Sequence, residues 1–329
     1  MADGERRLVS LIVPVYNEEG VVSLFLEAVC PVIAAEPYAF EFIFVNDGSR
    51  DGTQAVLEEE RRKDARVKIV ELARNFGKDQ ALAAGFKAAG GDAVIPMDVD
   101  LQDPPEIIPE FLRCWEEGYE AVVGVRRRRD ADTRGKRLTA GLFYRVFNRL
   151  CDDRLIPNAG DFRLLDRCVV DALNTLPEHA RFMKGLYSWV GFRQTVVYYD
   201  RPARKAGSTK WSPWKLWNFA LDGITGFSTM LLRIWSYTGL TVALAGFGYA
   251  AYLIVRTLAY GVDVPGYASL ICLLLILNGM VLISLGIFGE YLGRIFMEVK
   301  ARPLYIVRRR IGFAAEASPK QSLHQGQRQ

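Results

Sequence analysis

From residue 8 to residue 125 the chain repeats one pattern, a short apolar run of strand length followed by a segment with a helical apolar face, and this leaves few folds open. Leu8–Val15 is nearly continuous in apolar residues, as a strand covered on both faces must be. It ends at Tyr16-Asn17-Glu18-Glu19, where a helix begins with Val22, Phe25, Leu26 and Val29 on one side. Phe40–Val45, Val67–Leu72, Asp92–Met97 and Glu120–Val125 read as further strands, and helices are expected over Lys78–Ala89 and Glu106–Trp115. This alternation predicts an α/β domain with a mainly parallel, doubly wound sheet.

Ligands of such sheets bind beyond the carboxyl ends of the strands. Here those ends carry Tyr16 and Glu18, then Asp47 within Asn46-Asp47-Gly48-Ser49, then Arg74-Asn75-Phe76-Gly77-Lys78, and finally Asp98 with Asp100. Singly, each is explained as well by a turn or a helix cap. Together they place four polar ends on one rim. The densest is Asp98-Val99-Asp100-Leu101-Gln102-Asp103-Pro104-Pro105. If extended, it puts Asp98, Asp100 and Gln102 on one face and turns Val99 and Leu101 to the core. Three oxygen donors at a strand end point to a divalent metal held against a nucleotide diphosphate. Pro104 and Pro105 suit the first turn of the helix that follows.

The 329 residues carry 42 Lys and Arg against 38 Asp and Glu, so the position of charge says more than its sum. Basic residues gather at 126–129, 134–137, 201–215 and 294–310. No nucleic-acid-binding motif accompanies them and the last two groups flank hydrophobic segments, so membrane and phosphate ligands are expected, not nucleic acid. Five scattered cysteines with no CxxC give neither a disulfide frame nor a zinc site, and two histidines speak against a His-based triad. The first ten residues contain no apolar core, so no cleavable signal peptide is expected.

The motifs Val13-Pro14-Val15-Tyr16-Asn17-Glu18, Asn46-Asp47-Gly48-Ser49, Arg74-Asn75-Phe76-Gly77-Lys78 and Asp98-Val99-Asp100-Leu101-Gln102-Asp103-Pro104-Pro105 resemble those of the family 2 glycosyltransferases of the GT-A fold. Within them the chain resembles the polyisoprenyl-phosphate branch, most closely the bactoprenol glucosyltransferases, and is related to dolichol-phosphate mannose synthases. The resemblance runs from about Leu8 to about Pro303. It implies that Asp98, Asp100 and Gln102 hold Mg²⁺ or Mn²⁺ against the diphosphate of a UDP-sugar. It also implies that Pro14, Tyr16, Glu18 and Asp47 hold the uridine, with Asn75 and Lys78 near the same rim. For Lys78 a solvated lysine at a helix start fits equally well. Arg126, at a strand end, is assigned by resemblance to the acceptor or leaving phosphate, and the adjoining residues 130–137 read as an active-site loop. Asn158-Ala159-Gly160-Asp161-Phe162-Arg163 matches the bactoprenol branch, with Asp161 as candidate catalytic base and Arg163 near the acceptor. A lipid monophosphate is already ionised near neutral pH, so orienting the acceptor or an arginine is the other role open to Asp161. Asp166 is expected to cap a helix. Arg204 and Lys210, in a basic loop around Gly207-Ser208-Thr209, would bind the lipid phosphate, or simply rest on anionic head groups.

The rest of the chain reads as membrane. Trp211, Trp214, Trp217 and Phe219, with Lys210 and Lys215, suit an interfacial helix. Ile234–Val255 and Tyr267–Gly289 are each long enough to cross a hydrocarbon core of roughly 30 Å. The expected organisation is a cytoplasmic catalytic domain over 1–211, an amphipathic juxtamembrane helix over 212–233 and transmembrane helices over 234–255 and 267–289 joined by an external loop at 256–266. A cytoplasmic segment over 290–310, with a short strand at Arg302–Val307, and a disordered tail over 311–329 complete it. The basic outer flanks keep both termini in the cytoplasm. Gly289 and Gly293, with Asn278, suit helix packing in a homo-oligomer, a tetramer being one form. The strand could add to a sheet edge of this chain or of a neighbour.

The expected activity is therefore an inverting, metal-dependent transfer of one sugar, glucose as the first choice, from a UDP-sugar to undecaprenyl or another polyprenyl phosphate, at the cytoplasmic face of a bacterial inner membrane. A dolichol-phosphate-mannose-type or N-acetylglucosamine-type transferase, or a lipid-binding membrane adaptor without chemistry, are the alternatives.

Overall fold

The computed structural model describes residues 6–127, 156–176, 178, 183–200, 230–260 and 266–313. The expected alternation is present as β1 (Leu8–Val15), α1 (Val22–Ala34), β2 (Ala39–Asn46), α2 (Thr53–Lys63), β3 (Val67–Leu72), α3 (Lys78–Ala88), β4 (Ala93–Pro96), a 3-10 turn (Pro105–Ile107) leading into α4 (Ile108–Glu116), and β5 (Ala121–Arg126). Beyond it come β6 (Ala159–Asp166), α5 (Arg167–Thr175), α6 (Met183–Trp189), β7 (Gln194–Tyr199), α7 (Met230–Tyr260), α8 (Tyr267–Val299) and β8 (Val307–Ile311).

Eight strands form one sheet in the order β7-β5-β6-β4-β1-β2-β3-β8. β1 runs parallel to β2 and β4, β2 to β3, and β5 to β7. β6 is antiparallel to both of its neighbours, β4 and β5, and β8 is antiparallel to β3. The sheet is therefore mixed, with four of its seven pairings parallel, and less uniformly parallel than expected. The cause lies in β6, which was not among the expected strands because Asp161 and Arg163 alternate with Phe162 and Leu164. Its polar face turns to α3 and α6 and not to solvent, so charge masks a strand that is covered on both sides.

One face of the sheet is packed by α1, α2 and α4 through Phe25, Val29, Leu57, Phe111 and Trp115. The other is packed by α3, α5 and α6 through Leu82, Phe86, Val169, Leu173 and Leu186. β1 is buried on both sides, which explains its unbroken apolar run. Asp166 caps α5 as expected, accepting the Cys168 N–H at 2.9 Å.

The two long helices exceed the expected spans, at 31 and 33 residues. Their described side chains are largely uncovered, with Leu240, Phe247, Leu258 and Leu282 between 58% and 83% exposed. Among the described residues one stretch, Ile276–Val299, with a mean hydropathy of 1.5, is long and apolar enough to cross a membrane by length and composition. Hydroxyl and amide groups on these helices are satisfied within the helix: Ser236, Thr238, Thr241 and Asn278 each donate to the carbonyl four residues back. Within this chain Asn278 thus bonds its own helix. The expected strand at Arg302–Val307 is displaced to Val307–Ile311, since Ala301 turns at φ 46 and Pro303 has no N–H to give to a ladder. Its partner is this chain's own β3, with Arg309 donating to Glu71 Oε2 at 2.6 Å. The interfacial segment 212–229, residues 261–265 of the external loop and residues 314–329 lie outside the described residues.

Candidate active site

β2 and β3 lie to one side of β1 and β4 to the other, so the carboxyl ends of β1 and β4 flank the point where the winding reverses. The loops above it are tied to one another by side chains. Asn17, held at φ 55, donates its N–H to Ser49 Oγ at 3.0 Å and accepts the Arg50 N–H at 2.8 Å. The Glu18 N–H donates to Thr53 Oγ1 at 2.9 Å. Asp47 takes the Phe76 N–H on one oxygen at 2.7 Å and the Gly77 N–H on the other at 2.9 Å. Gly48 sits at φ 67, and a Cβ there would lie 2.4 Å from the Arg74 carbonyl carbon. Only glycine lets these two loops approach so closely. Burial pushes the Asp47 carboxyl up in spite of both N–H donors. Asp47, expected to meet uridine, thus also holds the loop that starts α3, with one N–H on each oxygen.

The first residue of α3 is Lys78, and it is the centre of the site. Its ammonium lies 2.7 Å from Asp98 Oδ1, 2.9 Å from Asp98 Oδ2 and 2.7 Å from Asp161 Oδ2. The lysine whose role was open thus joins the proposed metal loop to the proposed base. Burial disfavours its charge, but Asp161 and Asp98 outweigh this and hold the ammonium well above its ordinary range. Burial would likewise raise Asp161, yet Lys78, Lys184 and Arg163 together hold its carboxyl far below the usual carboxylate range. Next to them Asp79 is pushed up to about 7 by burial and by the charge of Asp161.

The donors Asp98, Asp100 and Gln102 do not form one face. β4 ends at Pro96, Leu101 turns at φ 55, and the Gln102 N–H donates back to Asp100 Oδ1 at 3.2 Å. Gln102 is buried, and its Oε1 has no partner among the described residues. Val99 and Leu101 are buried as expected. Among the described residues no three His, Cys, Asp or Glu side chains are grouped to hold a metal ion. The donor set still fits a hard divalent cation of one kind. Mg²⁺ is commonly bound by one or two carboxylates while water and phosphate oxygens complete its shell, and Asp98 and Asp100 offer two carboxylates on the ligand-binding rim.

The remaining expected residues divide. Pro14 is the last residue but one of β1, with Tyr16 half-buried just beyond the strand and Asn75 exposed on the opposite loop. Arg126 Nη2 donates to Asp103 Oδ1 at 3.2 Å and its Nε to the Tyr199 hydroxyl at 3.2 Å, while that hydroxyl donates to the same Asp103 oxygen at 2.5 Å. Arg126 thus anchors the aspartate loop to the ends of β5 and β7. Arg163, only 5% exposed, lies beneath the site, with Nη2 on the Gly160 carbonyl at 2.6 Å and its guanidinium 3.7 Å above the Tyr187 ring. Arg204 and Lys210 lie outside the described residues. Asp103, Tyr199, Asp79 and Lys184 were not among the expected site residues. Asp103 stood inside the quoted motif and was the one of these with a sequence signal.

A mixed sheet whose carboxyl rim gathers these carboxylates, with helices on both faces, has the architecture of the GT-A class of nucleotide-sugar transferases. Residues 10–173 match Glycosyl transferase family 2, and the chain belongs to that family. It is 51% identical to an uncharacterized glycosyltransferase of Synechocystis over 91% of this chain and 94% of that one. It is 47% identical to the SfII prophage-derived bactoprenol glucosyl transferase of Shigella flexneri over 92% of this chain and 97% of that one. Among solved structures, mannosyl-3-phosphoglycerate synthase from Rubrobacter xylanophilus shares 18% identity and a TM-score of 0.49, covering 71% of this chain and 75% of its own.

Proposed function

We propose that this glycosyltransferase moves a single glucose from UDP-glucose to undecaprenyl phosphate, with inversion, at the cytoplasmic face of a bacterial inner membrane. The observation that carries the reading is the near full-length similarity to enzymes whose name, bactoprenol glucosyl transferase, gives both a lipid and a sugar.

The acceptor phosphate oxygen bonds to the anomeric carbon as the bond from that carbon to UDP breaks, and UDP departs with the electron pair. Asp98 and Asp100 would hold a Mg²⁺ or Mn²⁺ ion, which would supply neutralisation of the charge that develops on the departing UDP. Pro14, Tyr16, Glu18 and Asn75 border the nucleotide side, and Asp47 acts through the loop that it holds. A phosphate monoester has a second pKa of roughly 6, so the acceptor arrives ionised and needs no strong base. Asp161, held far below the usual carboxylate range, suits an orienting anion in place of the base first expected. Arg204 and Lys210 bring positive charge to the acceptor phosphate, and Arg126 fixes the loop that carries Asp98 and Asp100.

α7 and α8 serve as the two crossings, with the residues between them outside. The pairing of β8 with β3 supports this, because a chain that rejoins its own sheet must return to the side it left. So do the internally bonded hydroxyls, since lipid offers them no other partner. The test is transfer of radiolabelled sugar from a panel of UDP- and GDP-sugars to undecaprenyl phosphate by the purified protein, with Mg²⁺, Mn²⁺ or chelator. A lipid-soluble product from UDP-glucose alone that vanishes with chelator is expected. Transfer from another donor alone would replace glucose, and no transfer from any donor would remove the reading.

A further inference from the structure

Lys78 binds two carboxylates that the proposed reaction uses for different purposes. Asp98 is needed by the cation that accompanies the nucleotide, and Asp161 faces the acceptor. We propose that Lys78 is a displaceable counter-ion, which holds Asp98 before the donor arrives, yields it to the incoming divalent cation, and remains on Asp161. The inference rests on the metal-dependent reading of the site given above.

Three observations carry it. First, the ammonium sits against both Asp98 carboxylate oxygens, at 2.7 and 2.9 Å, so a cation ligating Asp98 meets a like charge on the same two oxygens. Second, the pair stands at the mouth, with the Lys78 side chain 42% exposed and that of Asp98 36%. Solvent, and with it an incoming ion, therefore reaches the pair without any opening of the fold. Third, the Asp161 carboxylate is more enclosed, at 16% exposure, and the 2.7 Å contact there is backed by Lys184 and Arg163. Lys78 therefore has a lasting partner when Asp98 is taken from it. The N–H bonds that Asp47 accepts from Phe76 and Gly77 fix the backbone just before Lys78, so only the flexible lysine stem has to move. Lys78 acts in this account as a positioning residue that sets the order of events: cation and donor first, then an acceptor site whose anion keeps its counter-charge.

The test is the affinity of the purified full-length protein for Mn²⁺, read from the electron paramagnetic resonance signal of free Mn²⁺, with and without UDP. Removing the competitor by Lys78→Met is expected to tighten Mn²⁺ binding about tenfold, a change typical of losing one close charge. Lys184→Met removes a cation of the same neighbourhood that does not touch Asp98, and is expected to change affinity by less than about twofold, as for a charge acting at a distance. Asp98→Asn abolishes Mn²⁺ binding in either background. If Lys78→Met leaves affinity unchanged or weaker while Asp98→Asn abolishes it, the counter-ion inference falls and the metal reading stands. Equal gains from Lys78→Met and Lys184→Met would reduce the effect to net charge and also overturn it. Absence of Asp98-dependent Mn²⁺ binding in the wild type, with or without UDP, overturns both.

Discussion

The sheet carries a lysine–carboxylate cluster at each end, and the two are built to opposite ends. At the foot, Glu41 accepts the Ser10 hydroxyl at 2.5 Å and the Gly90 N–H at 2.9 Å on one oxygen, and the Lys68 ammonium at 2.5 Å on the other. Ser10 in turn accepts the Gly91 N–H at 2.9 Å. The Glu41 side chain is 4% exposed. At the rim, Lys78 serves one aspartate from the loop after β4 and one from β6, and both it and Asp98 stay open to solvent. A buried charge with all its hydrogen bonds made within the fold holds strands together. An exposed one shared between a loop and a strand can change partners. Residue types alone do not separate structure from function here; saturation and exposure do.

The largest effect that would break this contrast is at the rim. Asp98→Ala is expected to lower sugar transfer by at least about 10²-fold with a melting temperature close to wild type, since transition-state charge loses its main counterweight. Transfer assays beside thermal melts would sink the contrast if the variant unfolds instead. At the foot the outcome should invert. Glu41→Ala leaves Lys68, Ser10 and the Gly90 N–H without their acceptor, and is expected to cost about 2–3 kcal/mol of stability while the folded fraction keeps its turnover. Burial tends to raise this carboxyl, but Lys68, Ser10 and Gly90 together hold it below its ordinary value. Its stabilisation is therefore complete above about pH 5 and fades as pH falls through its depressed folded value, a dependence that Glu41→Gln should remove from acid denaturation curves.

Smaller changes sharpen the comparison. Gly48→Ala puts a Cβ against the Arg74 backbone and should part the two loops that set Lys78, raising KM for the donor about tenfold with kcat less affected. An equal fall in kcat with KM unchanged would mean that these loops do not bind the donor. Asp79→Asn should act least. A carboxyl with a folded value of about 7 binds an extra proton in the folded state above its unfolded value near 3.9, so stability declines as pH rises through that window. The variant is expected to melt about 2–4 °C higher than wild type at pH 8 and no higher at pH 4, by calorimetry.

Much of the architecture was legible because β1 to β5 are apolar enough to announce burial, and because their polar ends share one rim. Three things were hidden, each for a physical reason. β6 was masked by Asp161 and Arg163, whose charges are buried among other charges. The donors after β4 were read as an extended face, but a left-handed Leu101 breaks the alternation, and propensity gives no sign of such a residue. Arg126 and Asp47 were read for ligand contacts, and the partners they have within the fold, Asp103 and two backbone N–H groups respectively, could not be read from the sequence. A charged side chain on a loop advertises chemistry, while whether it faces a ligand or a neighbouring loop is set by contacts distant in sequence.

The strand at the β3 edge, β8, is also the last element along the chain among the described residues. β3 is made early and keeps a bare edge, with its N–H and C=O groups unpaired, until both long helices have been synthesised and β8 arrives to cover it. Arg308 and Arg309 then find Glu71, and the Ile306 carbonyl accepts the Ala73 N–H at 2.9 Å beside the loop that leads to Lys78. The catalytic half therefore cannot be finished before the helical half has been made. A chain truncated within α7 or α8 would leave an open sheet edge beside a loosened site, so the sheet closes only in a chain that has already passed through both helices.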